Sequence, residues 1–460
     1  MMPDQPQQQQ QPPAFDVDGL LDGLDSEDLP PDPLRYWARI EGEKTFLAKT
    51  LADDIVGVGP LAVGGDDLLW SYAGGVWSPA RHVARDRAAK LMGELFRNSH
   101  ARNAETLIRA YAPRIACEPI GELVNFRNGL LDWRSGELRS HTPDVLSTVQ
   151  LPVNYNPDAT CPAFDRFLAE VVPADMIDIV WELIGYLVFS GNPLHKAVML
   201  MGGGNNGKGT FLHVLEKLLG GKRNITAVSL HDLVNTRFST ASLYGKLANI
   251  AGDIDGSYLE STATFKAITG GDTVSAEHKG RDRFDFTPWA VPVFSANKIP
   301  SSADTTVGYF RRWLVLPFPH DFTGREDRNL DHRLSTPAEL EGIAAKAIAA
   351  LPRLLDRGDF ELGESANAAR EEFARRVDQV RTWIDECCKV TDAAPWRNRT
   401  ELYTHYKNWA QRDGHKAVRA SEFYDRLGHV AGVVAARGGP SSVRGYAGIE
   451  VLDTVFGVYP

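Results

Sequence analysis

Ala197-Val198-Met199-Leu200-Met201 is an apolar run that leads into Gly202-Gly203-Gly204-Asn205-Asn206-Gly207-Lys208-Gly209-Thr210, and Phe211-Leu212-His213-Val214-Leu215-Glu216-Lys217-Leu218-Leu219 follows. The order predicts a strand, a glycine-rich loop and a helix. Glycines permit a tight turn whose successive N–H groups point inward at an anion, and the positive end of the helix and the Lys208 ammonium add charge at the same spot. The spacing from Gly202 to Gly207-Lys208 fits G-x-x-x-x-G-K, so Gly202 to Thr210 are expected to cradle a triphosphate. A bare glycine-rich turn is the alternative; the strand before and the helix after weigh against it. Gly209 stands where a Ser or Thr hydroxyl usually holds Mg²⁺, leaving Thr210 as the nearest substitute ligand.

A phosphate loop says only that a nucleotide binds, and the following segments decide what is done with it. Lys246 to Asp255 reads as an apolar strand ending in carboxylates. An acid so placed beside the β- and γ-phosphates can hold Mg²⁺ and polarise water. Asp253 and Asp255, two apart, would point the same way if the strand continues. Phe265 to Phe286 contains Thr269-Gly270-Gly271-Asp272 and then alternates like a hairpin. It carries His278, Lys279 and Arg281 among aromatic residues, a mixture suited to tracking a single-stranded backbone, although a charged hairpin can equally be a solvated edge. Ala290 to Asn297 reads as a strand ending in an amide that could orient an attacking water. Gly308 to Phe318 places Arg311 and Arg312 just before another apolar strand, and arginine's planar cationic fork suits charge on a transferring phosphoryl group.

This succession of phosphate loop, acid-ended strand, T-G-G-D hairpin, Asn-ended strand and Phe310-Arg311-Arg312 resembles the superfamily 3 helicases, specifically the phage and plasmid primase-helicase family that includes the poxvirus-type enzymes. The resemblance runs from about residue 80 to the end. It implies an AAA+-like P-loop ATPase core of α/β class, assembled as a hexameric ring that moves 3′ to 5′ on single-stranded DNA with ATP and Mg²⁺. By that resemblance Lys208 binds the β/γ-phosphates, Asp253 is the acid of the second motif and Asn297 is the third-motif sensor. Lys279 is the DNA contact, and Arg311 with Arg312 is the finger acting across the subunit boundary. Many relatives carry a primase domain ahead of this region. Only about eighty residues precede it here, with no acidic polymerase cluster, so primase activity is not expected and a separate primase or polymerase partner is.

The rest of the chain reads as support. Residues 1–34 hold eight acidic residues, no Lys or Arg and a Gln run, so this tail carries most of the net charge of -10 and is expected to be disordered. The remainder is close to neutral, which neither demands nor excludes a polyanion partner. Residues 35–160 are expected to form an α+β accessory domain, with helices over Arg35 to Leu51, Val83 to Phe96 and Ala104 to Tyr111. Hairpins are expected around Gly74-Gly75 and Asn128-Gly129. Residues 161–195 are a helical lead-in, 196–336 the core and 337–370 a helical linker. Residues 371–460 are a winged-helix-like domain, whose thirteen Lys/Arg against twelve Asp/Glu lack the strong positive charge of an autonomous DNA binder.

Four scattered cysteines suit neither a disulfide framework nor a zinc site, and the N-terminus does not read as a secretory signal. Met176 to Ser190 is too short and too charged to span a bilayer. The expectation is therefore an intracellular, cytoplasmic replicative helicase of a phage or mobile element, with no membrane partner. Two other readings remain open: an ATP-controlled origin-binding module with weak unwinding, and a P-loop phosphotransferase. The T-G-G-D hairpin, the Asn-ended strand and the length weigh against the last.

Overall fold

The structure is a computed structural model that describes residues 32–452 apart from 255, 278–281, 303, 414–415 and 440–441. The expectations for the tail, for Asp255 and for His278, Lys279 and Arg281 thus lie outside the described residues. The chain divides into two compact units. One is the chain up to Ala62 with Ala80–Pro113, and the other is Val63–Pro79 with the chain from Arg114 onward.

In the first unit, β1 (Trp37–Ile40) and β2 (Glu43–Phe46) form an antiparallel hairpin. This departs from the helix expected over Arg35 to Leu51. Glu41 and Gly42 both adopt positive φ, +50° and +89°, the conformation a tight two-residue hairpin demands, and they break the helical period. The helix begins only at α1 (Ala48–Gly57). It is joined by α2 (Val83–Met92) and α3 (Asn98–Tyr111), whose buried Ala101, Ala104 and Ile108 follow the spacing of one helix face. Arg87 closes the turn after α1 by donating to the carbonyls of Ile55 at 2.8 Å and Gly59 at 2.7 Å.

Strand β3 (Leu61–Gly64), whose last two residues open the second unit, makes a sheet with β4 (Leu69–Ala73), β5 (Val76–Pro79) and β6 (Arg114–Ile115) in the order β5-β4-β3-β6. The β4–β5 hairpin turns at Gly74-Gly75 as its sequence suggests. A meander of β7 (Leu123–Phe126), β8 (Gly129–Asp132) and β9 (Leu138–Arg139) follows. Then come α4 (Pro162–Val171) and α5 (Ile177–Val188), which is buried along nearly its whole length.

The centre is a five-stranded parallel sheet. Its members are β10 (Ala197–Met201), β11 (Ile225–Thr226), β12 (Ala248–Ala251), β15 (Val291–Ala296) and β16 (Trp313–Pro317), in the order β11-β12-β15-β10-β16. Helices α6 (Lys208–Leu219), α7 (Leu230–Asn235), α8 (Arg237–Ala241), α9 (Ala263–Gly270) and α10 (Val307–Phe310) lie between strands, as parallel pairing requires crossovers. The hairpin β13 (Val274–Glu277) and β14 (Arg283–Phe286) follows α9. Alternate residues of β10 feed two cores: Val198 and Leu200 join the one built on α4, α5 and α6, while Ala197 and Met199 join the other. The strand over Lys246 to Asp255 is shorter than expected, since β12 ends at Ala251.

Beyond the sheet lie α11 (Leu330–Leu334), α12 (Pro337–Arg357) and α13 (Glu364–Val377). Glu182 of α5, buried, accepts from Arg353 at 2.8 Å and Arg357 at 2.5 Å of α12, fixing the packing of these two helices. The C-terminal part has its own aromatic core around Trp383, Tyr406 and Phe423. It comprises α14 (Gln379–Cys387), β17 (Cys388–Val390), β18 (Arg397–Asn398), α15 (Arg399–Arg412), α16 (Ala420–Gly428), β19 (Val434–Gly438), β20 (Val443–Ala447) and β21 (Ile449–Val451). Strands β18, β20 and β19 form one sheet, and β17 pairs with β21. No helix among the described residues is long and apolar enough to cross a membrane.

Candidate functional site

In a parallel sheet, ligands bind beyond the carboxyl ends of the strands. Three adjacent strands, β10, β15 and β12, end there in Gly202-to-Thr210, Asn297 and Asp253. The turn into α6 is set by Gly207, whose φ of +87° suits a glycine, and Lys208 is the first residue of the helix. Close approach demands Gly202: a Cβ there would sit 2.4 Å from the Phe318 carbonyl oxygen. Asn206 pins the loop by donating to that same carbonyl at 3.2 Å.

Lys208 is 5% exposed. Its ammonium donates to the carbonyls of Gly202 at 2.8 Å and Gly203 at 2.7 Å, to Asn206 Oδ1 at 3.0 Å and to Asn297 Oδ1 at 3.1 Å. Asn297 in turn donates from Nδ2 to Asp253 Oδ1 at 3.1 Å. Every acceptor on the ammonium is neutral, so its charge is not cancelled by direct contact with a carboxylate. Burial lowers the Lys208 pKa, and the Asp253 charge opposes that shift. The donor set is that of an anion site: a buried cation, a helix N-terminus and a glycine loop whose Gly203 and Gly204 positions open onto free space.

Asp253 stands beyond the end of β12 in a left-handed conformation, φ +47°, rather than on the strand as expected. Its exposed carboxylate is brought to the site. Among the described residues no group of three His, Cys, Asp or Glu could hold a metal unaided. A divalent cation at Asp253 would therefore need phosphate oxygens and waters as its other ligands, which is Mg²⁺-like coordination. Thr210 lies two residues, some 200° of helix turn, from Lys208, and lines a cavity of about 270 Å³ with Asn205 and Gly207 of the loop and with Phe167, Phe322 and Arg325. Nothing lies within 4 Å of a Cβ built on Gly209.

Arg311 and Arg312 sit at the opposite, amino end of the strand next to β10. The register pairs Ala197 with Trp313 and Met201 with Pro317, so the arginines precede β16 at its amino end while the loop follows β10 at its carboxyl end. The strand alone separates them by roughly 13 Å. Arg312 is tied down: its Nε donates to Thr269 Oγ1 at 3.0 Å and its guanidinium to the Gly308 carbonyl. Arg311 is exposed, and its side chain makes no hydrogen bond or ion pair among the described residues.

One residue that sequence reading missed is Arg376. It lines a cleft of about 600 Å³ with Gly202, Gly203, Asn297 and Phe318, and its Nε donates to Glu372 at 2.5 Å. It arrives there on α13, a helix with no motif to mark it.

Residues 36–173 match the family model described as D5 N terminal like, and residues 200–312 match a family of unknown function, DUF5906. Among curated proteins the chain is similar to "Putative helicase L207/L206" of Acanthamoeba polyphaga mimivirus, 27% identical over 214 residues, 44% of this chain and 22% of that protein. It is also similar to "Putative helicase 121R" of Invertebrate iridescent virus 3, 22% identical over 333 residues, 62% of this chain and 34% of that protein. The chain thus spans between about a fifth and a third of these relatives. Among solved structures, the apo NrS-1 C terminal region aligns with a TM-score of 0.48 at 11% identity, covering 84% of this chain and 87% of that one.

Proposed function

We propose that this chain is an ATP-dependent DNA helicase motor of the superfamily 3 kind. The observation that carries the reading is the convergence of Lys208, Asn297 and Asp253 at the ends of three neighbouring parallel strands, 3.1 Å from one to the next. The similarity to helicase-named viral proteins supports it.

In this reading the loop N–H groups and Lys208 hold the β- and γ-phosphates of ATP, and the cavity at Phe167, Phe322 and Arg325 takes the base. Bound Mg²⁺ would neutralise phosphate charge and draw electron density from the bridging oxygen. Asp253 faces that ion, and Asn297, held between anion and cation, is placed to orient the attacking water. Arg311, too far from its own Lys208, serves the site of the next subunit, which makes hydrolysis depend on a closed ring, a hexamer in our reading. The hairpin β13–β14 would carry Lys279 into the path of single-stranded DNA, with 3′ to 5′ movement. Residues 371–460 would act as a winged-helix-like domain.

The test is ATP turnover with and without single-stranded DNA, together with strand displacement on forks of opposite tail polarity. Wild type is expected to show DNA-stimulated turnover and 3′-tail-dependent unwinding, and Lys208→Ala to lose both. Full turnover in Lys208→Ala would sink the nucleotide site. Turnover without unwinding on either fork would leave an ATPase that is not a helicase.

A further inference from the structure

Arg311 caps the C-terminus of α10, a helix of only four residues, too short to hold its own shape. The face it occupies is open, since Val307, one turn earlier on the same side, is 81% exposed. The Arg311 guanidinium makes no hydrogen bond or ion pair among the described residues, so its own chain can aim it only through the backbone. That backbone is held at both ends of α10. At the start, Thr306 donates to Asp304 Oδ1 from its N–H at 3.1 Å and from its hydroxyl at 2.7 Å. At the end, the Arg311 carbonyl accepts from the Lys196 ammonium at 3.0 Å, and the Arg312 carbonyl accepts from the Ala197 N–H at 2.7 Å.

Lys196 is itself fixed along its length. Its backbone N–H and carbonyl both bond the Asn192 side chain at 3.0 Å, and Asn192 Oδ1 accepts from the hydroxyl of the buried Tyr186 at 2.6 Å. Its side chain is 13% exposed, and the ammonium pairs with Asp359 at 2.9 Å. Asp359 is held in turn: its carbonyl accepts from Arg357 Nε at 2.7 Å, and its Oδ1 accepts from the Phe360 N–H at 2.8 Å. Since Arg357 also bonds Glu182, an unbroken chain of polar contacts runs from α5 and α12 to the carbonyl of Arg311. Stability alone is a weak reason for such an arrangement, because the Asp359 side chain is 61% exposed and exposed ion pairs contribute little.

We propose that Lys196 is a positioning residue for Arg311, clamping the carbonyl of that residue so that its guanidinium projects at a fixed angle toward the neighbouring subunit. This rests on the reading that Arg311 serves the nucleotide of the next subunit. Without the clamp α10 would be free to drift, and a displacement of about 1 Å in a catalytic group can cost about 100-fold in rate.

The test is complementation between full-length chains, read as ATP turnover, beside binding of a fluorescent ATP analogue. Lys196→Met keeps the apolar stem and removes the charge. It is expected to bind the analogue as wild type does and to lose turnover by about 100-fold. Mixed with Lys208→Ala chains it should regain part of that turnover, because some interfaces then join its intact loop to a well-held Arg311. Mixed with Arg311→Ala chains it should regain nothing, since both bring intact loops and defective arginines. Recovery with Arg311→Ala would overturn the proposal, because Lys196 would then be supporting its own phosphate loop through β10. Recovery with neither chain, or wild-type turnover in Lys196→Met alone, would overturn it too. Arg311→Ala mixed with Lys208→Ala separates the two levels. If that pair recovers and Lys196→Met fails, only the clamp is refuted; if that pair does not recover, action between subunits falls and the clamp with it. Should Lys196→Met fail to melt cooperatively, Lys196→Gln carries the same mixing test.

Discussion

Asn297 turns its side-chain oxygen to the Lys208 ammonium at 3.1 Å, and so places a neutral amide where a carboxylate would have quenched the charge. The other half of the amide holds Asp253 at 3.1 Å. Asn297→Asp would put an anion against the ammonium. Binding of a fluorescent ATP analogue is expected to weaken at least tenfold, about 1.4 kcal/mol. Asn297→Ala should leave binding within a few-fold but cut turnover by about 100-fold, the scale of losing one positioned polar group. An Asn297→Asp variant that bound nucleotide as well as wild type would mean the amide's neutrality is immaterial.

Arg311 and Arg312 are adjacent in sequence but differ in environment. Arg312 bonds Thr269 and Gly308 within its own chain, so Arg312→Ala is expected to lower stability by about 1–2 kcal/mol, read as a shifted urea midpoint. Arg311→Ala should melt like wild type yet lose turnover by a factor on the order of 10³. Mixing Arg311→Ala with Lys208→Ala chains should recover part of the turnover, because some interfaces then join an intact loop to an intact arginine. No recovery at any ratio would refute action between subunits.

How far the chain could be read in advance depended on whether the signal was local. The loop from Gly202 to Thr210 declared itself because its turn, helix and lysine are contiguous. Lys208 and Asn297 are 89 residues apart, and only the order of strand-ending motifs linked them. The strand of Asp253 was read too long because apolar content continues past Ala251, whereas the backbone turns left-handed at Asp253. The helix expected over Arg35 to Leu51 failed at Glu41-Gly42, a turn whose requirement for positive φ outweighs a helical pattern. The expected helical linker stops at residue 370, half-way along α13, because Ala366, Ala369 and Phe373 make a faint apolar face, and Arg376 lies beyond that point. Thr210, suggested as a metal ligand by its proximity in sequence, lines the cavity of Phe322 and Arg325 beside the loop.

Asp304 is expected to give a pH dependence of definite sign. Burial alone would raise its pKa, but bonds from Lys266, Thr262 and Thr306 outweigh that and hold it down at about 2. A carboxylate depressed below its unfolded value of about 3.9 stabilises fully above that pH and stops doing so as pH falls through its folded value. Asp304→Asn is therefore expected to cost about 2 kcal/mol at neutral pH. The gap from wild type should close between about pH 4 and pH 2. Denaturant melts at pH 7 and pH 3 check this, and a gap independent of pH would show that the Asp304 charge contributes nothing.

Gly209 is the place where the phosphate loop departs from the usual hydroxyl, and the structure leaves room to restore it. A Cβ at Gly209 meets nothing within 4 Å, so Gly209→Ser should fold, with a small gain from replacing glycine in a helix, roughly 0.5 kcal/mol. In the native chain Asp253 is the carboxylate at the site, and Thr210 lines the cavity of Phe322 and Arg325. An added hydroxyl at position 209 would supply a ligand that water must otherwise provide. The Gly209→Ser variant is expected to bind Mn²⁺ with ATP several-fold more tightly, read by the electron paramagnetic resonance of free Mn²⁺, and to need less Mg²⁺ for half-maximal turnover. Thr210→Val, by contrast, should leave the metal requirement unchanged while weakening nucleotide binding. If Thr210→Val raised the metal requirement and Gly209→Ser did not lower it, the metal would be held through Thr210 after a rearrangement of the first turn of α6.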